Sequence, residues 1–197
     1  MYNKINNKFD LITNVSVSDI KESIIASGYP MKKRLPQLEE HTELKDKDIK
    51  RAKQLASVAS GSGHDCFLKG IIVSFDLTFS EKAWTQAERY TWFNFVSSMS
   101  TMHMLAKMEP VYMSYTDKNV IEAFTKVLKR YLANPTDENK LSLLYSYPSG
   151  LLLTARIMTN YLQLKTIYNQ RKNHFLPEWR EFCDWIQTLP KSYLITG

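Results

Sequence analysis

One ten-residue segment constrains the fold more than any other part of the chain. Residues 70–79 read Gly-Ile-Ile-Val-Ser-Phe-Asp-Leu-Thr-Phe, and from Val73 onward apolar side chains alternate with polar ones. Successive side chains of a β-strand point to opposite faces, so strict alternation is typical of a strand with one buried face. The segment therefore predicts a half-buried strand.

Helical patterns account for most of the remaining chain. Apolar spacing and capping residues predict helices over 18–27, 48–60, 83–95, 117–132, 137–146, 150–174 and 178–188, with Ser80 capping the third. A second short strand is predicted at 111–115, and residues 1–16 fit an N-terminal arm or a first strand. Because the sequence has no repeat and no linker, we expect one helix-rich α+β domain over residues 1–197.

The longest predicted helix, residues 150–174, carries a stripe of polar side chains. At 100° per residue, five of them fall within an arc of about 80°: Arg156, Asn160, Gln163, Arg171 and His174. From Asn160 to Arg171 the axial distance is about 16 Å, which suits a nucleotide or dinucleotide laid along the helix. An ordinary solvated face would show the same residues. Leu164 and Ile167 interrupt the stripe, which favours a partly covered surface and hence an oligomer.

A second candidate site follows the alternating strand. Gln86 and Arg89 are three residues apart and share a face of the predicted helix. Arginine offers a planar fork of donors, so such a pair can hold a phosphate or the edge of a base. A plain surface pair beside Glu88 is the alternative.

The charge of the chain allows several kinds of partner. Lys and Arg number 26 against 20 Asp and Glu, a formal net charge of +6, with the surplus mainly in residues 117–175. This charge is compatible with a phosphate-bearing small molecule, with nucleic acid, or with a solvated surface that binds nothing. No motif points to nucleic acid in particular.

Other features favour a cytoplasmic protein. No apolar run reaches the roughly 18 residues that a membrane span needs, and no secretory signal is visible. Cys66 and Cys183 form no close pair, so we expect free thiols in a reducing compartment. The cysteines and histidines lack zinc-site spacing, and no metal site is predicted.

Two stretches resemble the flavin-dependent thymidylate synthase family. That family has a His segment, H-x-S-P-F-E-H, then an F-x-F strand, then a Gln three residues before an R-H-R motif. Here His64 is followed at matching spacing by Val73-Ser74-Phe75, and Gln86 and Arg89 match the Gln and the first Arg. Downstream, the family has a Pro and then N-x-R-x-L-x-x-F-x-x-L-R, and this chain has Pro148 and the segment from Asn160 to Arg171.

The resemblance covers about residues 60–186, with 61–186 as the core, 1–60 as an arm and helices, and 187–197 as a tail. It implies a small, mainly antiparallel sheet. The chain is also similar to phage-encoded relatives of the family, which implies the host cytoplasm as its location.

Several family positions differ. After Arg89 the chain has Tyr90 and Thr91 instead of His and Arg, and a hydroxyl-rich loop with Ser97, Ser98 and Ser100 replaces a segment that holds Glu and Arg. His103 follows that loop as the candidate replacement for one cation. Two further Arg positions of the family fall on Leu144 and Leu162. Each lost Arg removes a charge-assisted contact of about 1.5–3 kcal/mol with an anion.

The resemblance implies a homotetramer with sites between subunits and assigns roles to residues. Arg171 would hold the pyrimidine and is the one catalytic candidate. The implied nucleotide-binding set is Gln86, Arg89, Ser97, Ser98, Ser100 and Arg171, and the cofactor-binding set is His64, Arg89, Asn160, Gln163 and His174. The implied reaction is one-carbon transfer from methylenetetrahydrofolate to dUMP, with FAD as cofactor and NADPH as reductant. A salt bridge to Glu178 is the alternative role for Arg171.

Two other functions fit the same sequence. A non-catalytic phage protein could use the fold to bind and sequester a different nucleotide, as an anti-defence protein would, and the changed R-H-R motif favours this. A purely structural or interaction protein is the third possibility.

Overall fold

The computed structural model describes residues 10–33, 43–59, 61–108 and 110–197. Its strands are β1 Ile12–Ser18, β2 Ile72–Ser80, β3 Asn94–Ser98 and β4 Leu152–Asn160. Its helices are α1 Ile20–Ala26, α2 Asp46–Ala56, α3 Glu81–Ala87, α4 Thr101–Met104, α5 Lys118–Ala133, α6 Asp137–Leu144, α7 Tyr161–Arg171, α8 Pro177–Ile186 and α9 Tyr193–Thr196. Short 3-10 turns cover Tyr29–Met31, Cys66–Gly70, Leu105–Lys107 and Pro110–Met113.

The four strands form one antiparallel sheet in the order β1-β2-β4-β3. The β2–β4 ladder is regular from Ile72 opposite Asn160 to Ser80 opposite Leu152. The helix-rich α+β fold with a small antiparallel sheet is therefore confirmed. Residues 1–9 lie outside the description, but β1 shows that the rest of the predicted arm includes a first strand.

The alternation of residues 73–79 has the predicted consequence. Val73, Phe75, Leu77 and Phe79 are fully buried, and the rings of Phe75 and Phe79 pack against α8 through Phe182. On the other face of the sheet, Thr78 meets Thr154 and Asp76 meets Arg156. Ser80 caps α3 as predicted, since its hydroxyl accepts a hydrogen bond from the Ala83 amide at 3.2 Å.

The prediction of one helix over 150–174 is wrong. Residues 152–160 form strand β4, and α7 begins only at Tyr161. Pairing with β2 buries Ala155 and Ile157 on the core face, which compensates for leaving the helical conformation. Asn160 is extended at φ −139° and caps α7, its side-chain oxygen accepting from the Gln163 amide at 2.9 Å.

Two consequences correct the predicted polar stripe. Arg156 lies on β4, where its Nη1 is 3.1 Å from Asp76 Oδ1 and 2.7 Å from the Asn14 carbonyl, so it stabilises the sheet. Leu164 and Ile167 are fully buried in the chain's own core. They therefore need no second subunit to cover them.

Two shorter predictions also differ from the structure. The helix expected over 83–95 ends at Ala87, and residues 94–98 form the edge strand β3. Tyr90 and Phe93 turn into the core between these elements, which favours ending the helix early. The strand expected at 111–115 is instead the 3-10 turn Pro110–Met113, where Met113 packs into a second apolar cluster.

That second cluster lies beneath α5 and α6, whose positions the sequence predicted correctly. It contains Leu105, Met113, Phe124, Leu143 and Leu151. Leu153 of β4 packs against both this cluster and the main core. In the described ranges, no helix is both long and apolar enough to cross a membrane.

Candidate nucleotide site

The last residue of α7 is the centre of the candidate site. Arg171 is only 8% exposed, and in the described structure its guanidinium donates two hydrogen bonds. Nε donates to the Tyr90 hydroxyl at 2.8 Å, and Nη1 donates to Gln86 Oε1 at 3.2 Å. The structure therefore joins α7 to α3 and to the segment that follows α3.

A tryptophan completes this group, which we call the Arg171 cluster: Gln86, Tyr90, Arg171 and Trp179. The guanidinium carbon lies 4.9 Å from the centre of the Trp179 ring, within the range of a cation–π contact. The Trp179 indole donates to Gln86 Oε1 at 3.1 Å. Gln86 Oε1 thus accepts from both Trp179 and Arg171, which fixes the side-chain amide.

No carboxylate in the described part of the chain forms an ion pair with Arg171. Glu178, the predicted alternative partner, is buried and instead accepts from the Ser80 hydroxyl at 2.5 Å. A buried cation without a counter-charge is costly, and an anion or a carbonyl oxygen of a ligand would offset that cost. The Arg171 cluster is therefore suited to hold an acidic or carbonyl-bearing ligand.

His174 follows the cluster and is half-buried. Its Nδ1 accepts from the Leu176 amide at 3.2 Å, which leaves the proton of the neutral ring on Nε2. Burial, and then the Arg171 charge, lower the pKa of His174 below its usual value. The ring is therefore neutral at pH 7 and adds no positive charge to the site.

A groove of about 210 Å³ lies at the opposite, N-terminal end of α7. It is lined by Lys69, Ile72, Trp92, Asn94, Met158, Thr159 and Asn160. Trp92 is 56% exposed, and the buried Thr159 hydroxyl has no hydrogen-bond partner among the described residues. Thr159 lies on the same face of β4 as the buried Ala155 and Ile157 and is only 3% exposed, so its hydroxyl belongs to the core and not to the surface of the groove.

The other predicted site residues make no side-chain hydrogen bond or ion pair with the Arg171 cluster in the described structure, although Arg89 directly precedes Tyr90 in the chain. Gln163 is half-buried near the start of α7, and Asn160 borders the groove. His64, Arg89, Ser97 and Ser98 are exposed, and Ser100 is half-buried before α4. None of these five side chains is hydrogen-bonded or ion-paired to the cluster within the described residues. Within one chain, the fold therefore brings Gln86, Arg171 and the nearby His174 together. The other predicted site residues do not join this group.

Sequence reasoning missed several residues that matter here. In the sequence, Tyr90 stood out only as a position where a cation of the family is lost. In the structure, its hydroxyl accepts a hydrogen bond from Arg171 Nε. Trp92, Thr159 and Lys69 come from three distant segments, and no local pattern could have joined them. Trp179 stands in the helix predicted over 178–188 and, in the resemblance, at the Trp of the family's Q-W-E segment, but neither pattern indicated its contact with Arg171.

Comparison with solved structures shows which fold this is. The chain superimposes on the flavin-dependent thymidylate synthase ThyX from Helicobacter pylori complexed with FAD and dUMP with a TM-score of 0.68 and 15% identity, over 95% of this chain and 98% of that one. A second Helicobacter pylori ThyX structure with FAD and dUMP gives a TM-score of 0.67 at 15% identity, over 94% and 97% of the two chains. No protein-family model and no curated protein sequence matches the chain. At this identity the likeness concerns the fold, and the chain therefore has a fold similar to that of flavin-dependent thymidylate synthase.

Proposed function

We propose that this protein binds a pyrimidine nucleotide through the Arg171 cluster, at a site completed by a second subunit. One observation carries the proposal: Arg171 is buried, is oriented by Gln86 and Tyr90, and has no carboxylate partner among the described residues. Such a guanidinium suits a phosphate or a pyrimidine carbonyl. The ThyX structures of similar fold bind dUMP, which supports this choice of ligand.

The groove at the start of α7 is the proposed place for the ring of a flavin. The exposed Trp92 indole offers a flat apolar surface at the edge of this groove. Asn160 borders the groove, and His64, Arg89, Gln163 and His174 complete the proposed FAD set, some of them from a neighbouring subunit. The flavin ring fits an apolar surface of this kind. For the negatively charged diphosphate of FAD, the described lining of the groove offers one cation, Lys69.

With these ligands, the chain would carry out one-carbon transfer from methylenetetrahydrofolate to dUMP. Bound FAD would supply the hydride, and NADPH would reduce the flavin. The part played by the chain itself is to orient the pyrimidine with Arg171 and Gln86. The hydroxyls of Ser97, Ser98 and Ser100 would contact the nucleotide phosphate.

A non-catalytic nucleotide-binding protein, such as a phage protein that sequesters a nucleotide, is the second candidate. The neutral Tyr90 favours it. This residue carries no positive charge for a flavin diphosphate, and its hydroxyl is already bonded to Arg171 and Gln170. In this version the Arg171 cluster binds a nucleotide and no hydride transfer follows.

The assembly proposed for either candidate is a homotetramer. Its support is an exposed apolar area around the edge strand β3: Trp92, Phe95, Val96, Met102 and Met158. Apolar side chains concentrated in this way are typical of a surface that another subunit covers. Light scattering that gives the 23.0 kDa monomer at micromolar concentration would overturn the assembly.

The deciding experiment is calorimetric titration of the purified protein with dUMP, with and without added FAD. Saturable binding of dUMP supports the proposal, and absence of binding to the oligomer contradicts it. Formation of dTMP after addition of methylenetetrahydrofolate and NADPH selects the enzyme. Binding without turnover, or copurification of a different nucleotide in a colourless protein, selects the non-catalytic candidate.

A further inference from the structure

Tyr90 is buried at the point where the chain departs most clearly from the R-H-R pattern. It is 7% exposed, and its hydroxyl makes two hydrogen bonds in different roles. The oxygen accepts from Arg171 Nε at 2.8 Å, and the hydroxyl proton goes to Gln170 Oε1 at 3.0 Å. Both partners are neighbours on α7, whereas Tyr90 comes from the segment between α3 and β3.

These bonds restrict the guanidinium at one end, and its other Nη donors have no hydrogen-bond partner among the described residues. Of the five N–H groups of an arginine side chain, Tyr90 takes the one on Nε and Gln86 takes one on Nη1. The Trp179 ring lies against the guanidinium carbon at 4.9 Å. A side chain with many rotamers is thereby held in one orientation before any ligand arrives.

We propose that Tyr90 is a positioning residue, which orients Arg171 so that its remaining Nη donors meet the ligand. This inference rests on the proposed nucleotide site and extends it. Ordering the guanidinium in the free protein lowers the entropy cost of binding. In addition, the tyrosine accomplishes this without charge, so Arg171 keeps its full attraction for an anion, without repulsion from a neighbouring cation.

The hydroxyl and the ring of Tyr90 have separate functions. The ring packs edge-on against Trp179, with 5.9 Å between the ring centres, and a phenylalanine would keep that contact. The ring also lies 5.7 Å from the Arg171 guanidinium carbon, a cation–π contact that a phenylalanine would keep as well. Only the hydroxyl makes a hydrogen bond to Arg171. The variant Tyr90→Phe therefore removes the orienting bond and retains the packing.

The first measurement is the affinity for dUMP of the complete oligomeric protein. We expect Tyr90→Phe to bind dUMP about tenfold more weakly, the effect of losing one hydrogen bond to a charged group. The matched control is Tyr168→Phe, since Tyr168 lies on the same helix α7 and its hydroxyl has no hydrogen bond in the described structure. It should bind dUMP like the wild type.

The second measurement needs no ligand. In nitrogen-15 spectra, the Arg171 Nε–H signal, assigned through its absence in Arg171→Lys, should exchange slowly with water in the wild type and in Tyr168→Phe. In Tyr90→Phe it should exchange rapidly. If Tyr90→Phe does not fold, Gln170→Ala replaces it, because Gln170 is exposed and accepts the Tyr90 proton. This variant should show a smaller change of the same kind.

The outcomes separate this inference from the proposed function. A wild-type protein that binds no dUMP contradicts the nucleotide site, and the Nε–H signal still decides whether Tyr90 orients Arg171. Unchanged Nε–H exchange in Tyr90→Phe overturns the positioning role, even if dUMP affinity falls, because Tyr90 would then contact the ligand itself. Unchanged affinity overturns it as well.

Discussion

The Lys165 ammonium lies 2.8 Å from Asp65 Oδ2, and both side chains are almost completely buried, at 8% and 2% exposure. Lys165 also donates to the carbonyls of Ala56 and Val58, at 2.8 and 2.9 Å. These carbonyls belong to the C-terminal end of α2 and the loop that follows it. One side chain of α7 therefore satisfies a helix end and fixes the segment that contains His64.

Replacing Lys165 should destabilise the protein strongly. Lys165→Met would leave the Asp65 carboxylate and two carbonyls buried without their donor, and we expect the free energy of unfolding to fall by about 3–5 kcal/mol. Chemical denaturation measures this. Lys172→Met, at an exposed position just after α7, is the control and should change stability by less than about 0.5 kcal/mol. A loss at Lys165 as small as that of the control would contradict the role of the pair.

Replacing Arg171 should separate ligand binding from stability. Because Arg171 has no carboxylate partner in the described structure, Arg171→Ala should abolish dUMP binding. The melting temperature of the free protein should fall only modestly, through the lost contacts with Tyr90, Gln86 and Trp179. Lys172→Ala removes the same charge one residue later and should leave dUMP binding intact. Normal binding together with a large drop in melting temperature would make Arg171 a structural residue.

FAD should bind more weakly than micromolar. Tyr90 and Thr91 stand where the resembled family has two cations, and Tyr90 is engaged by Arg171. The flavin diphosphate therefore lacks charge-assisted contacts, each worth a factor of about ten or more. Titration followed by flavin fluorescence measures the affinity. Stoichiometric FAD in the purified protein would refute this prediction and favour the enzyme.

The two cysteines should differ in reactivity. Cys66 is exposed, whereas burial, together with the Asp184 charge, raises the pKa of Cys183 to about 12. A thiol-specific chromogenic reagent at pH 8 should label one cysteine per folded chain and two after unfolding. Cys66→Ser should abolish the rapid labelling, and persistent rapid labelling in that variant would show that Cys183 is accessible.

The raised pKa of Cys183 also predicts a loss of stability in alkali. The folded protein keeps the thiol protonated to higher pH than the unfolded chain does, so its contribution is complete below the ordinary value of 9.0. That contribution decreases as pH rises from there to about 12. Cys183→Ala should reduce this alkaline dependence in denaturation curves, whereas Cys66→Ser should leave it unchanged.

The sequence by itself determined the elements whose pattern is local. The alternation from Val73 to Phe79 identified β2, the hydroxyl of Ser80 identified the start of α3, and apolar spacing identified α5 and α8. In each case, the signal depends on residues a few positions apart. The resemblance at Gln86 and Arg171 likewise identified two side chains that meet in the structure.

Only the tertiary structure decided the rest, because it depends on partners far away in the chain. Residues 152–160 have no strong strand pattern and become β4 because β2 offers them a complete ladder and a buried face. Tyr90 meets Arg171 across 81 positions, and Lys165 meets Asp65 across 100. A local pattern cannot specify such contacts, since their free energy comes from burial and hydrogen bonding between segments that only folding brings together.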